Sequence, residues 1–329
     1  MAQRLFLIYN PRAGKGSFSQ KLGEVVDMFV KGGYEVLVHP TQGQGDAVMV
    51  MKNLPADINM VVAAGGDGTL DEVVNGLMQS GRRLPVGYIP VGSTNDFAAS
   101  LGLSSVILEA VGDILGGEAC GIDIGDFNGH YFVYVAAFGA FTDVSYETDQ
   151  DMKNVLGHVA YIMEGARRIG DLRTYHMTVT VNGETKTGDY IYGMVTNSTS
   201  VGGIKGVTGT DVQLDDGLME VTLVRAPRNL ADINDTFGAF LSGTTGQGCV
   251  DVYRTSEVII ESETPVPWTL DGEYGGSPDF CHIKVIRDGC SIILDEQKES
   301  AGVLGHKDTS EELPPLLKSI LKGTGMENS

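Results

Sequence analysis

Paired cysteines, long apolar runs and basic residues are what this chain has least of. Its four cysteines, Cys120, Cys249, Cys281 and Cys290, are widely spaced and make no C-x-x-C pair. That argues against a zinc knuckle or redox motif and for reduced, buried thiols in a cytosolic protein. No stretch approaches the ~20 apolar residues of a membrane span. Arg4 is followed only by a short run to Tyr9 before Asn10-Pro11 breaks it, so no secretory leader is expected. Basic residues number 23 against 43 acidic ones, a formal net charge of −20. That balance repels nucleic-acid phosphate and disfavours adhesion to an anionic bilayer. The six histidines form no ligand spacing, and the one tryptophan, Trp268 beside Pro267, reads as packing. Neither an internal repeat nor a low-complexity run is present.

What is present is a globular composition of 329 residues, 42% hydrophobic and 20% charged, enough for a real core in one large domain or two ordinary ones. Its centre is Gly65-Gly66-Asp67-Gly68-Thr69. Before it, residues 60–64 are a short apolar run that reads as a buried strand. After it, Leu70, Val73, Val74, Leu77 and Met78 recur at helical spacing. Thr69 is the expected N-cap, with Asp71 and Glu72 in the first turn. Glycines at a strand-to-helix junction let a phosphate approach the backbone, and helix N–H groups point at it. Asp67 would repel that phosphate unless a cation lay between, which suggests a nucleotide carried with Mg²⁺. Read alone, the run serves equally well as a tight turn.

The same grammar repeats along the first third. Residues 5–9, 34–39 and 86–89 also read as strands, each followed by a polar loop: Asn10 to Gly16 with two basic residues, a glycine-broken turn at Thr41, and Pro90 to Asp96. Helices intervene, one with Phe18, Leu22, Val25, Val26, Phe29 and Val30 inward, one capped by Asp46, one over 106–115. Strict alternation predicts an α/β domain, a parallel sheet covered by helices on both faces. The polar loops would then share one crevice at the carboxyl ends of the strands.

Near residue 117 the pattern changes. Asn128-Gly129, Asn182-Gly183 and Asp288-Gly289 each separate alternating runs and predict hairpins, the last between 282–286 and 291–294. The first hairpin pairs 121–127 with 130–136. Helices are expected at 155–169 and 230–241. This part reads as mostly antiparallel β, a sandwich or flattened barrel. A candidate helix at 313–322 carries Leu316, Leu317, Ile320 and Leu321 on one face and is expected to dock on the first domain. The division is therefore 1–119 with about 300–329 as the α/β domain, and 120–299 as the β-rich domain.

Residues 65–76, Gly-Gly-Asp-Gly-Thr-Leu-Asp-Glu-Val-Val-Asn-Gly, resemble the signature of the bacterial diacylglycerol kinase family, which includes sphingosine-kinase-like and related lipid kinases. Asn10-Pro11 with Gly14-Lys15-Gly16 is similar to that family's first nucleotide loop, Pro90 to Ala98 to its third, and Leu270-Asp271-Gly272-Glu273 to its catalytic turn. The match is ordered and spans residues 5 to 294. It departs at Ala13, where many relatives have a hydroxyl residue, at Asp71, where Asn is common, and at Ser93, where Thr is usual.

The resemblance implies an ATP- and Mg²⁺-dependent lipid kinase that phosphorylates the hydroxyl of diacylglycerol or a similar lipid, giving phosphatidic acid or an analogue. Such a protein is cytoplasmic, transiently peripheral at the inner face of the membrane, and in some relatives a homodimer. Asn10, Pro11, Gly14, Thr41, Gly65, Gly66, Asp67, Gly68, Thr69, Glu72, Gly92, Thr94 and Asn95 would contact ATP. Asp67 would bind the nucleotide's Mg²⁺, and Asp96 would assist at the phosphates. Glu273 would be the general base, with Asp271 able to share that role. Read alone, Asp271-Gly272-Glu273 is an exposed turn. A structural Mg²⁺ is implied at the Asp216 carboxylate and the carbonyls of Gln213 and Leu218, with Asp123 linking it to the active site. Read alone, these are an acidic turn and an outward-facing strand residue. Arg167, Arg168 and Arg173 form the one basic cluster, either a solvated helix end or a face toward anionic lipid.

Two rivals remain. NAD kinases share a Gly-Gly-Asp-Gly motif and a similar architecture, but the Asn10 loop, the Thr94-Asn95-Asp96 loop and the Asp271 turn favour the lipid kinases. A nucleotide-binding regulator of the same fold would have no need of a base at Glu273.

Overall fold

The computed structural model describes residues 3–139, 173–201, 204–205, 212–228, 232 and 249–295. The expected helices at 155–169, 230–241 and 313–322, the docking of 300–329, and Arg167 and Arg168 lie outside the described residues. Four parallel strands come first, β1 (Gln3–Tyr9), β2 (Tyr34–Pro40), β3 (Met60–Gly65) and β4 (Pro85–Pro90). They are joined by α1 (Ser17–Lys31), α2 (Asp46–Lys52) and α3 (Asp67–Ser80), and β4 is followed by α4 (Asp96–Ser100) and α5 (Ile107–Gly116). The strand order is β2-β1-β3-β4, all parallel.

Both sheet faces are covered, which is why β1, β3 and β4 carry apolar runs, whereas β2 at the sheet edge is only partly buried. Alternate residues serve opposite faces. Leu5 and Leu7 of β1 pack with Phe18, Val25 and Phe29 of α1 and with Ala110 and Ile114 of α5. Phe6 and Ile8 pack with Met51 of α2 and with Leu70 and Val73 of α3. The path from β2 to β3 crosses back over β1, so the sheet's switch point lies between β1 and β3, where open α/β sheets bind ligands.

The rest of the described chain is antiparallel and β-rich: β5 (Glu118–Phe127), β6 (His130–Phe132), β7 (Val135–Gly139), β8 (Tyr175–Val181), β9 (Glu184–Thr196), β10 (Ser200–Val201), β11 (Ile204–Lys205), β12 (Met219–Arg225), β13 (Val250–Thr255), β14 (Glu257–Ser262), β15 (Trp268–Leu270), β16 (Glu273–Gly276) and β17 (Phe280–Leu294). Its core holds Phe127, Phe132, Phe138, Tyr175 and Trp268. The Trp268 ring lies 5.0 Å from that of Phe127 and 4.8 Å from that of Phe138, at tilted angles suited to the ring quadrupoles.

The halves are joined through β17. Its first part pairs with β14, its length with β5, and its end, Ser291 and Ile292, runs parallel to β4. The hairpin expected at Asp288-Gly289 is therefore a correction. The residues lie in one continuous strand, and the Asp288 φ of 50° marks a bulge where the β5 register shifts between Ile286 and Cys290. The Asn128-Gly129 and Asn182-Gly183 turns do join antiparallel neighbours, with positive φ at all four positions. The strand expected over 130–136 breaks at Val133-Tyr134, for a reason that lies in the site.

Candidate active site

The loops that follow the four parallel strands line one cleft of about 1110 Å³, which Glu273 also lines. Its walls are Asn10 to Lys15 after β1, Thr41 to Gln44 after β2, Gly66, Gly68, Thr69 and Glu72 after β3, and Gly92 and Ser93 after β4. Asn10 bridges the switch point: its N–H donates to the Ala64 carbonyl at 2.9 Å, and its side-chain oxygen accepts from Arg12 N–H at 2.9 Å. Gly14, Lys15 and Gly16 are consecutively left-handed, at φ 55°, 56° and 77°. Successive N–H groups in that conformation form a concavity suited to an anion. Gly66 and Gly92 lie so close that a Cβ on Gly92 would sit 2.5 Å from Gly66 Cα. Asn95 folds the β4 loop on itself through Gly92 N–H and C=O, both at 3.0 Å.

The acids of α3 act on neighbouring helices. Asp67 Oδ2 accepts from Asp96 N–H at 2.9 Å and Oδ1 from Phe97 N–H at 3.3 Å, so it satisfies the N-terminus of α4. Glu72 accepts from Gly45 N–H at 2.7 Å and Ala47 N–H at 3.0 Å, doing the same for α2. Two expectations are corrected here. Thr69 is not an N-cap; α3 begins at Asp67 with Gly66 as cap, and Thr69 is buried inside the helix. Nor does Asp46 cap α2; its carboxylate turns back to Gln42 N–H at 3.0 Å and His39 at 2.8 Å. Of the residues implied at ATP, Gly65, Asp67, Thr94 and Asn95 do not line the cleft, nor does Asp96, whereas Arg12, Lys15, Gln42, Gln44 and Ser93 do. Burial, with Asp96 and Asp271 nearby, pushes the Asp67 carboxyl up to about 6 despite its two N–H donors.

The turn between β15 and β16 holds two carboxylates in different states. Asp271 is buried, not exposed, and accepts three N–H groups, from Val133 at 2.5 Å, Tyr134 at 3.0 Å and Val135 at 2.8 Å. Those donors are taken from the sheet, which is why β6 and β7 are separate strands. Asp71 hydrogen-bonds to Asp271, and Asn75 donates to Asp71 Oδ1 at 2.7 Å. Burial and the Asp271 charge push Asp71 well above the usual carboxylate range, so this pair keeps one proton. Glu273 instead reaches the cleft. Its Oε1 lies 3.9 Å from where a Gly68 Cβ would be, and Gln44 Nε2 donates to its Oε2 at 2.7 Å. Burial and the Glu72 charge raise its pKa, and the Gln44 donor opposes them. Gln44 carried no signal in the sequence beyond a glycine-broken turn.

The second acidic turn lies against β5, where Asp123 N–H donates to the Leu214 carbonyl at 2.7 Å. Asp123 is buried, 1% exposed, rather than facing outward. Its Oδ2 accepts from Gly217 N–H at 2.5 Å and its Oδ1 from Asp288 N–H at 3.0 Å, which fastens the turn to the β17 bulge. Asp216 Oδ1 accepts from Leu218 N–H at 2.9 Å, and Arg254 pairs with its Oδ2. Arg287 Nη2 donates to the Asp216 carbonyl at 2.8 Å.

Residues 4–127 match the diacylglycerol kinase catalytic domain family, and residues 135–285 match the YegS C-terminal NAD kinase beta sandwich-like domain. A diacylglycerol kinase of Staphylococcus carnosus (strain TM300) is 35% identical over 288 residues, 86% of this chain and 94% of that protein. One of Bacillus subtilis (strain 168) is 35% identical over 277 residues, 83% of this chain and 91% of its own. The crystal structure of a candidate diacylglycerol kinase from Bacillus anthracis str. Sterne matches with a TM-score of 0.75 at 25% identity, covering 90% of this chain and 96% of that one. With such relatives along most of its length, and four strand-end loops gathered around one cleft, the chain belongs to the diacylglycerol kinase family of lipid kinases.

Proposed function

We propose that this chain transfers the γ-phosphoryl group of ATP to the hydroxyl of diacylglycerol, giving phosphatidic acid, with Glu273 as general base. The observation that carries this reading is the position of Glu273, a carboxylate facing the cleft beside the glycine loops, on which no backbone N–H of the described residues is bonded. The acceptor oxygen attacks the γ-phosphorus, its proton passes to Glu273, and the bond to the β-phosphate oxygen breaks with its electron pair leaving on ADP. The left-handed run Gly14-Lys15-Gly16 and the N-terminus of α3 supply N–H groups for the phosphates, and Arg12 and Lys15 supply the cationic charge at the cleft wall. A raised pKa on Glu273 suits a base that must hold a proton during the transfer.

Mg²⁺ fits the donor chemistry here. Asp67 and Asp96 are hard oxygen donors, and Asp67 is a buried acid pushed up to about 6 beside further carboxylates. Among the described residues no three such side chains form a ready metal cage, so phosphate oxygens would complete the set. When bound, Mg²⁺ would offset charge on the transferring group. Among the described residues no helix is long and apolar enough to cross a membrane, and the reading has the protein meet its lipid at the membrane surface.

The test is transfer from labelled ATP to diacylglycerol in detergent micelles, with NAD as a second acceptor and Glu273→Ala in parallel. Labelled lipid that disappears in the variant is expected. Labelled NAD with unlabelled lipid, or full lipid transfer by the variant, would overturn the reading.

A further inference from the structure

We propose that a guanidinium group, that of Arg254, is the resident cation of the Asp216 turn, where resemblance to the family implies a structural Mg²⁺. Sheet register puts it there: on the antiparallel pair β12–β13, Arg254 lies directly opposite Glu220. From that position its Nη2 pairs with the Asp216 carboxylate, and its Nε lies 3.5 Å from Glu220 Oε1. One planar fork thus spans two acids, which suits arginine better than a point charge. Arg287 adds a second guanidinium, donating to the Asp216 carbonyl at 2.8 Å and lying over Gly217, where any Cβ would strike it.

The donor set therefore does not fit a further divalent ion. Of the implied ligands, Asp216 has one carboxylate oxygen on Arg254 and the other on Leu218 N–H. Magnesium demands near-octahedral oxygen ligation and keeps several waters, and here it would meet two positive charges at contact range. Arg254 already pairs with both Asp216 and Glu220, and Arg287 adds a second positive charge beside them.

Thermal unfolding of the full chain without nucleotide tests this, followed through Trp268, the one tryptophan, in the core of the β half. The native protein should unfold at the same temperature, within about 1 °C, in EDTA and in millimolar MgCl₂. Arg254→Met keeps the apolar stem and removes the charge. It should lower Tm in EDTA by about 4 °C or more, and Mg²⁺ should restore part of the loss, because Asp216 and Glu220 are then open to it. Two results would overturn the proposal: a native Tm that falls in EDTA and recovers with Mg²⁺ through a response that Asp216→Asn abolishes, or an Arg254→Met protein as stable as the native one. A native Mg²⁺ response that persists in Asp216→Asn arises elsewhere and leaves Arg254 in place. Should Arg254→Met fail to fold, the native and Asp216→Asn arms decide alone. None of these readouts depends on the kinase reading.

Discussion

Both halves of the molecule use acids as braces, but over different reaches. In the α/β half, Asp67 and Glu72 take N–H groups 25 to 30 residues away, and each fastens α3 to the start of a neighbouring helix of the same domain. In the β half, Asp123 and Asp271 take N–H groups 94 to 165 residues away. The first kind of brace can form as soon as neighbouring elements meet. The second exists only when the whole β half is in register. Damage to a short brace should therefore stay local, and damage to a long one should be felt by the fold. Glu273, which among the described residues has only the Gln44 side chain as donor, belongs to neither class, as a proposed base requires.

The strongest way to break this comparison is to treat Glu273 as one more brace. Glu273→Ala should lower kcat for lipid phosphorylation by about 10²–10⁴-fold while leaving thermal unfolding unchanged. A matching loss of stability would erase the distinction. Next comes Asp271→Ala, which strands three buried N–H donors and should destabilise by about 3–5 kcal/mol, read by urea unfolding through Trp268. Asp71→Asn should cost far less, since its amide can still donate to Asp271. Asp67→Asn tests the short brace: a stability loss of about 1 kcal/mol, with faster amide exchange confined to α4 and the β4 loop.

A further prediction concerns pH. Asp67 and Glu220 have folded-state pKa values raised by burial to about 6 and about 7. An acid raised in the folded state binds more protons folded than unfolded, so its stabilisation is present at low pH and is lost as pH rises through the folded value. Nucleotide-free protein should therefore lose stability between about pH 4 and 7, and Glu220→Gln should flatten the upper part of that slope. The smallest effect belongs to Gln44→Ala. Removing a donor that holds the Glu273 pKa down should move the acid limb of kcat/KM to higher pH, with less than about a tenfold change in the plateau.

The fold was legible where periodicity and turn chemistry agree. Alternating strands and helices gave the parallel sheet, and the loops after β1 to β4 do share one cleft. Asn-Gly turns are local in origin and were legible as well. Asp288-Gly289 has the same local chemistry but lies in a bulge, because pairing with β5 and with the Asp123 carboxylate decides its conformation. The site was legible as a set of positions and less so as directions. Asp67 reads from its motif as a metal ligand, while its carboxylate faces the N–H groups of α4. Asp271 and Glu273 are two residues apart, yet one is saturated by a distant loop and the other faces the cleft. Which way a side chain points depends on partners far along the chain, as the unforeseen pairing of Gln44 with Glu273 also shows.

The end of β17 bears on how the protein is made. Among the described residues, the parallel sheet of the first half gains its neighbour at β4 only from Ser291 and Ile292. On the ribosome, β4 would wait as an open sheet edge while roughly 200 further residues are synthesised, on the order of 10–40 s. An unpaired apolar edge is an invitation to the wrong strand. The nascent chain is thus exposed to misassembly for most of its synthesis, and truncation before residue 291 should leave an aggregating α/β half rather than a free-standing nucleotide domain.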